Sequence, residues 1–322
     1  MKTKRLQTIA LIVLLGLAVA LLLGRQSLLD WWHLRGYSAP AIVSELATDD
    51  TMTTKAQHLF YVNHPDITAG KAFTTNCPAG GEKTVVLGCY VSNDAGIYIY
   101  AVDDARLNGV EQVTAAHETL HAAYHRLSSG ERKKVDAMLT SYYQHGLADQ
   151  RIKETIAAYK KSEPNDVVNE MHSVFGTEVA KLPAPLEQYY KQYFTDRSKI
   201  AAYTAKYQGE FTSRQDQVAT YDMQLKTLSV QITADEAQLN QQKAAIDSQN
   251  SQLQHERSSG QVAAYNSGVA SYNQAVNSYN ALLGSAKSLI NQYNDIVDKR
   301  NAIALEEQQL AQELSANSLT SN

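Results

Sequence analysis

The sequence predicts a mostly helical α+β protein with a single N-terminal transmembrane helix, a small mixed domain and a long antiparallel coiled-coil hairpin. Residues 9–23 are apolar apart from Gly16, residues 84–102 hold two β-rich segments around a turn, and residues 211–297 carry apolar side chains at seven-residue spacing. The expected parts are residues 1–35 (basic tip, anchor and interfacial segment), 36–182 (mixed domain), 183–316 (hairpin) and 317–322 (disordered tail).

The N-terminus predicts a membrane anchor. A basic tip at residues 2–5 precedes an apolar run that, counted over residues 8–24, has about 17 residues, the low end of what spans a bilayer. Basic residues before the run place the N-terminus in the cytoplasm and the rest of the chain outside, on the plasma membrane. Trp31 and Trp32 would then lie at the interface. A cleaved signal peptide, with residues 18–20 as its small-residue site, is the alternative.

The mixed domain shows strand patterns followed by helix patterns. A short helix over residues 52–60 and a loop around His64 come first. β-Branched and aromatic residues then predict two strands, residues 84–91 and 97–102, joined as a hairpin by turn residues 92–96. Apolar periodicity and capping residues predict helices at about 110–127, 131–143, 148–161 and 165–175.

Beyond Pro183 and Pro185 the pattern changes to a seven-residue repeat. One series runs from Phe211 to Leu253 and a second from Val262 to Val297, separated by a Ser-Ser-Gly turn at residues 258–260. Such spacing is typical of coiled coils, and the short turn predicts two antiparallel helices. Because some seam positions are polar, we expect self-association or a partner helix.

Composition and cysteine content narrow the possible functions. Hydrophobic residues make up 44% of the chain and charged residues 19%, as in globular proteins. The net charge of -4 gives no basic surplus for nucleic-acid binding. Cys77 and Cys89, twelve residues apart, can close a short loop as a disulfide in an oxidising compartment, or remain two unpaired core residues.

The segment that carries chemistry is His117-Glu118-Thr119-Leu120-His121, on a predicted helix. Two histidines four residues apart lie about 40° apart around a helix, so both imidazoles can bind one ion. The pattern is typical of zinc peptidases, in which the metal activates a water and polarises the scissile carbonyl while the glutamate acts as general base. The strand at residues 97–102 could align a peptide by strand addition. A structural helix with surface histidines is the alternative.

A downstream segment, residues 169–173, resembles the gluzincin pattern, in which an Asn-Glu pair on a later helix supplies the third zinc ligand and a small polar residue one turn on braces a histidine. Residues 168–178 are also similar to a segment of bacterial membrane-anchored metallopeptidases with a C-terminal coiled coil. The resemblance covers about residues 75–195 and implies a zincin-like domain. It assigns zinc to His117, His121 and Glu170, with Glu118 as the base.

Other residues near the motif are rival ligands or further candidates for the site. Glu178 is a rival third ligand, because Gly176 could end the helix and turn Glu178 back towards the site. His125 lies about 12 Å along the helix from His117, too far to share one ion. His172 would face about 200° away from Glu170 on a helix. Candidates for stabilising an oxyanion are Tyr124, His172, Tyr189 and Tyr190.

The sequence therefore favours a membrane-anchored, extracytoplasmic zinc peptidase that hydrolyses a peptide or protein substrate. In this interpretation the coiled coil positions the substrate or a sister subunit. The alternative is a non-catalytic cell-envelope scaffold that uses the coiled coil and carries a zinc-binding or degenerate protease domain.

Overall fold

The computed structural model describes residues 24–78, 86–92 and 96–315. The chain divides into two compact units, which we call the globular unit (Met1–Glu210 with Leu310–Asn322) and the hairpin unit (Phe211–Gln309). Each unit is described separately below.

Short helices and three strands build most of the globular unit. The first described helix (α1) covers residues 24–34. The elements that follow before the central helix are α2 (Ala41–Asp49), α3 (Thr54–Val62), β1 (Asp66–Thr68), α4 (Gly70–Asn76), β2 (Gly88–Val91), β3 (Gly96–Tyr100) and a 3₁₀ turn (Ala105–Leu107). The later helices are α5 (Val110–His125), α6 (Ser129–His145), α7 (Gln150–Ser162), α8 (Val167–Glu178) and α9 (Ala184–Tyr190).

The sheet has the strand order β1-β3-β2. β2 pairs antiparallel with β3, as the hairpin pattern predicts, with Cys89 opposite Tyr98. The third strand, β1, pairs parallel with β3 and has no counterpart in the sequence prediction, which expected a loop there. A three-residue strand is too short to show alternation, so its pairing depends on contacts with a distant part of the chain. β2 is an edge strand among the described residues.

α5 is the central element of the globular unit, and α8 crosses it at close range. α5 packs against α8, α2, α3 and both strands of the β2–β3 pair. At the crossing, a Cβ added to Gly176 would lie 2.4 Å from Leu120 Cδ1 and 2.9 Å from Tyr190 Cε1. Only glycine leaves room for this approach, so Gly176 sets the distance between the two helices.

The globular unit extends past the boundary that the prolines suggested. The backbone N–H of Thr53 donates to the Tyr193 carbonyl at 2.8 Å, and Met52 forms a β-bridge with Phe194. The buried Arg197 guanidinium donates to the Val179 carbonyl at 2.5 Å. Residues 183–210, which the sequence grouped with the coiled coil, are therefore part of the globular unit.

Two long helices, α10 (Arg197–Ser258) and α11 (Val262–Glu313), supply the hairpin unit. Arg214 pairs with Glu306 at 3.2 Å and Arg300 with Asp222 at 3.1 Å, so the helices run antiparallel as the repeats predict. The partly buried positions on α10 recur at alternating spacings of three and four residues, beginning with Phe211, Arg214, Val218, Tyr221 and Leu225.

The predicted transmembrane helix and single-pass membrane localisation need correction. In the three ranges that the structure describes, no helix is both long enough and apolar enough to cross a membrane. In the described helical segment 24–34, Asp30 is buried against His58 and Arg126. The apolar run at residues 9–23 lies outside the described residues, as does the tail at 317–322.

Candidate metal centre

Three side chains from two helices converge on one point in the globular unit. His117 and His121 lie one turn apart on α5, and their Nε2 atoms are 3.0 Å apart. Glu170, in the first turn of α8, places one carboxylate oxygen 3.8 Å from His117 Nε2 and the other 3.4 Å from His121 Nε2. Together these three residues form a group that can hold a metal ion, and they are called the metal group below.

The distances within this group fit a tetrahedral ion. Ligand bonds of about 2.0–2.2 Å place the ligand atoms of a tetrahedral site roughly 3.3–3.6 Å apart. The three observed separations, 3.0, 3.4 and 3.8 Å, bracket that range. Three protein ligands also leave a fourth position open. The donor set therefore fits a catalytic type of site better than a closed structural one.

Helix packing explains why the ligands meet. α5 is buried along most of its length, and His121 is 8% exposed while His117 is partly exposed towards a cleft. The close crossing at Gly176 brings α8 against α5, so that Glu170, less than two turns earlier on α8, reaches both imidazoles. Both histidines present Nε2 to the same point.

The Glu170 carboxylate is held in its ionised form. Burial acts to raise the pKa of Glu170, but His121, His117 and a hydrogen bond from Tyr159 outweigh burial and lower it. Tyr159 lies on α7 and lines the cleft beside the metal group. The sequence analysis missed Tyr159, because its contact with Glu170 depends on how α7 packs against α8.

Glu118 is buried beside the metal group and is not part of it. Burial raises the pKa of Glu118 to about 7, against the lowering effects of His121 and of the Tyr90 backbone N–H, while Glu170 acts to raise it. A carboxyl group with a pKa near neutrality can both accept and return a proton at physiological pH.

The edge strand β2 lies directly over Glu118. A Cβ added to Gly88 would lie 2.4 Å from Thr114 Cγ2 and 3.1 Å from Glu118 Cγ. The Leu87 carbonyl accepts from the Tyr100 N–H, so the alternation of a strand turns the backbone groups of Gly88 and Tyr90 away from β3. Those groups face the cleft, and the Tyr90 N–H already contacts Glu118.

The two cysteines fix β2 to the neighbouring helix. Cys77 and Cys89 form a disulfide with a Cα–Cα distance of 5.8 Å, which is the pairing that the sequence allowed. Cys77 follows α4, and Cys89 lies in β2 between the two residues that face Glu118. The bond therefore anchors the strand that covers α5 at Glu118.

The rival third ligand has another partner. Glu178, at the end of α8, accepts a hydrogen bond from Arg151 at 2.5 Å and is absent from the group that can hold a metal. His125 is exposed and lies 3.4 Å from the Tyr90 hydroxyl. Ser173 Oγ has no hydrogen-bond partner among the described residues, so it does not brace a histidine.

The candidates for oxyanion stabilisation lie at different depths. His172 is fully buried, with its Nε2 atom 2.8 Å from the Tyr189 hydroxyl, and burial lowers its pKa to about 3. Tyr190 is also buried and donates to the His172 carbonyl at 2.7 Å. Of the predicted candidates, Tyr124 alone lines the cleft, and its hydroxyl donates to Asp136 at 2.8 Å.

A cleft of about 630 Å³ opens in front of the metal group. β2 forms one wall, and α5, α7 and α8 supply much of the rest. Glu163 and Asp166 lie at its edge, with carboxylate oxygens within 4.8 Å of each other and of Glu170.

Comparisons with protein-family models, with curated proteins and with solved structures find no match for this chain.

Proposed function

We propose that this protein is a zinc-dependent peptidase, with His117, His121 and Glu170 as the metal ligands and Glu118 as the general base. The observation that carries the proposal is the meeting of two imidazole nitrogens and one carboxylate, at separations of 3.0 to 3.8 Å, beside a buried glutamate with a pKa of about 7. The alternative, a structural helix that carries surface histidines, does not explain why His117, His121 and Glu170 meet at one point.

The donor set favours zinc over harder cations. Two neutral imidazoles and one carboxylate are common ligands of catalytic zinc, whereas calcium and magnesium prefer a larger number of oxygen ligands. When bound, zinc would lower the pKa of a water in the open position and polarise a carbonyl group. The bound cation would also relieve the close approach of the Glu170 and Glu118 carboxylates.

Residues of the chain would carry out the proton transfers and align the substrate. The Glu118 carboxylate would take the proton of the attacking water and return it to the leaving amine, and a pKa near 7 suits both transfers. The cleft-facing backbone groups of Gly88 would pair with an extended peptide and align it across the site. Burial of Glu118 under β2 would keep bulk water away from the proton it carries.

Metal analysis together with peptide hydrolysis tests this proposal. The full-length chain should contain about one zinc ion and cleave members of a peptide library. Glu118→Gln should keep the zinc and lose cleavage, because the base is removed and the ligands are not. Glu170→Ala should lose the zinc, while Glu178→Ala serves as the matched control and should retain it. Full activity of Glu118→Gln, or a zinc-free active protein, would refute the proposal.

The hairpin unit supports a second role in association. Its seam is only partly buried by two helices, and the side-chain oxygens of Gln242 and Gln249 in that seam have no hydrogen-bond partner among the described residues. Met223 and Val230 on α10 are exposed to 65% and 66%. Self-association or a partner helix would cover these groups. The molar mass of the full-length chain in solution tests self-association, and a monomer at all concentrations would argue against it.

A further inference from the structure

We infer that Arg132 binds a carboxylate of the substrate and so makes the cleft selective for peptides that carry an anionic group close to the scissile bond. The inference rests on the proposed peptidase function and concerns the same cleft. Arg132 belongs to neither the metal group nor the residues that surround Glu118.

Arg132 is held rigidly at the end of the active-site helix. It lies in the first turn of α6, which begins with a capping box formed by Ser128 and Glu131. One terminal nitrogen donates to the carbonyls of Tyr124 and His125 at 3.1 and 3.4 Å. The guanidinium carbon is 4.8 Å from the centre of the Tyr124 ring. These contacts fix the plane of the guanidinium beside the cleft.

The fixed guanidinium still has hydrogen-bonding capacity. An arginine side chain carries five N–H donors. Among the described residues, the hydrogen bonds of Arg132 to protein groups all come from one terminal nitrogen, and Nε is buried, so the other terminal nitrogen can still donate. Within the described residues, Arg132 forms no ion pair with a carboxylate. A guanidinium held in this way is suited to bind a substrate carboxylate through a charge-assisted hydrogen bond from its remaining terminal nitrogen.

The charge of the surrounding cleft gives Arg132 a specific role. Among the described residues that line the cleft, Arg132 is the only lysine or arginine. The lining includes five acidic side chains: Glu118, Glu163, Asp166, Glu170 and Glu178. Because carboxyl groups outnumber cationic side chains in this lining, Arg132 is the protein side chain suited to receive an anionic group of a substrate.

The position of Arg132 matches the dimensions of a bound peptide. Tyr124, over which the guanidinium lies, is three residues beyond the ligand His121, or about 4.5 Å along the helix axis. One residue of an extended peptide spans about 3.3–3.6 Å. A carboxylate on Arg132 would therefore lie within one to three residues of the bond that is cleaved. The C-terminal carboxylate of a short peptide and the side chain of Asp or Glu share this chemistry.

Matched peptides separate the effect of the carboxylate from any effect on folding. Starting from a peptide that the protein cleaves, or from a short peptide of mixed sequence if it cleaves none, one pair compares a free C-terminal acid with its amide, and a second pair compares an internal Glu with Gln. We expect kcat/KM to be about tenfold or more higher for the anionic member of one pair, as a charge-assisted hydrogen bond implies. The pair that shows the difference identifies the source of the carboxylate.

Variants then assign the preference to Arg132. Arg132→Met should reduce the ratio within that pair to about one, and Arg132→Lys should retain part of it. Lys133→Met is the matched control, because Lys133 is exposed on the same helix and changes the net charge equally. A purely structural effect of Arg132→Met would lower both members of a pair by the same factor. That result, or a wild-type protein indifferent to both pairs, would overturn the inference.

A binding measurement distinguishes this inference from the proposed function. Fluorescent versions of the four peptides can be titrated against the Glu118→Gln variant, in which hydrolysis is blocked. Tighter binding of an anionic peptide that depends on Arg132 would support the inference even if the wild-type protein cleaves no peptide at all. Cleavage without any such preference in rate or binding would leave the peptidase proposal intact and remove the role of Arg132.

Discussion

Glu118 shows how the surroundings of one side chain set its protonation. Burial raises its pKa to about 7, while the Tyr90 N–H and His121 act to lower it. A bound cation would lower it further, so kcat/KM should fall on the acid side with an apparent pKa at or below about 7. The sign follows because, in the proposed function, the ionised carboxylate acts as the base. A pH profile of peptide hydrolysis checks this, and rising activity below that pKa would contradict it.

Asp50 is a second buried carboxylate and has no part in the proposed catalysis. It is fully buried, and no group in the described parts of the chain donates to either oxygen. Burial, and then the neighbouring Asp49, raise its pKa well above the ordinary value. Because the pKa is raised on folding, the protein is stabilised at low pH, and that stabilisation is lost as the pH rises through the folded-state pKa.

Replacing Asp50 with Asn should therefore increase the free energy of unfolding at neutral pH by about 1–3 kcal/mol. The variant should also lose the part of the pH dependence that Asp50 contributes. Urea unfolding at several pH values measures both effects. Asp66→Asn, at an exposed position, is the control and should change little. A less stable Asp50→Asn protein would show that the carboxylate has a favourable partner in solution.

At the scale of elements, the distance between α5 and α8 determines the metal group. Gly176→Ala would insert a methyl group where Leu120 Cδ1 lies 2.4 Å away. We expect a loss of about 1–3 kcal/mol in stability from overpacking, together with weaker zinc binding because Glu170 moves with α8. Gly209→Ala is the control, since nothing lies within 4 Å of the added carbon. Thermal unfolding and a zinc-affinity titration measure the two effects.

If Gly176→Ala keeps wild-type zinc affinity while losing stability, the position of Glu170 does not depend on this crossing. A variant that is as stable as the wild type would mean that Leu120 moves aside easily. The first result would show that metal binding does not depend on this helix packing, and the second that the crossing tolerates a methyl group.

Local and distant contacts explain which parts of the site the sequence could predict. The spacing of His117 and His121 follows from the period of one helix, so the sequence identified the pair directly. Glu170 was identified by resemblance, and the structure brings its carboxylate to both imidazoles. The approach of Gly88 to Glu118 and the hydrogen bond from Tyr159 depend on tertiary packing. Such contacts between distant parts of the chain leave no pattern in the local sequence.

The prediction of helices and strands depends on the same difference between local and distant contacts. Repeats of seven residues over long stretches predicted α10 and α11 because each turn of helix adds to the signal. The seven-residue helix α4 and the three-residue strand β1 carry too few residues for a period to emerge. The proline pair suggested a boundary, yet the segment after it packs against α3 through Thr53 and Tyr193.

At the scale of the whole molecule, the limits of the globular unit can be tested by deletion. Tyr190, Tyr193 and Phe194 are at most 1% exposed, so they are core residues although they follow the proline pair. Leu310 and Leu314, near the end of α11, are also buried and belong to the globular unit. A chain that ends at residue 182 loses both groups and should fail to fold.

Replacing residues 211–309 with a short Gly-Ser linker should give a different result. Arg214 pairs with Glu306, so α10 and α11 lie side by side at this end of the hairpin, and a short linker can join Glu210 to Leu310. The core residues on both sides of the deletion are kept, so zinc content, short-peptide hydrolysis and the thermal midpoint should remain close to those of the full-length chain. Association in solution should decrease if the hairpin unit mediates it. A linker variant that folds but binds no zinc would show that the hairpin unit supports the metal centre, and an unfolded one would place the limit of the globular unit beyond residue 210.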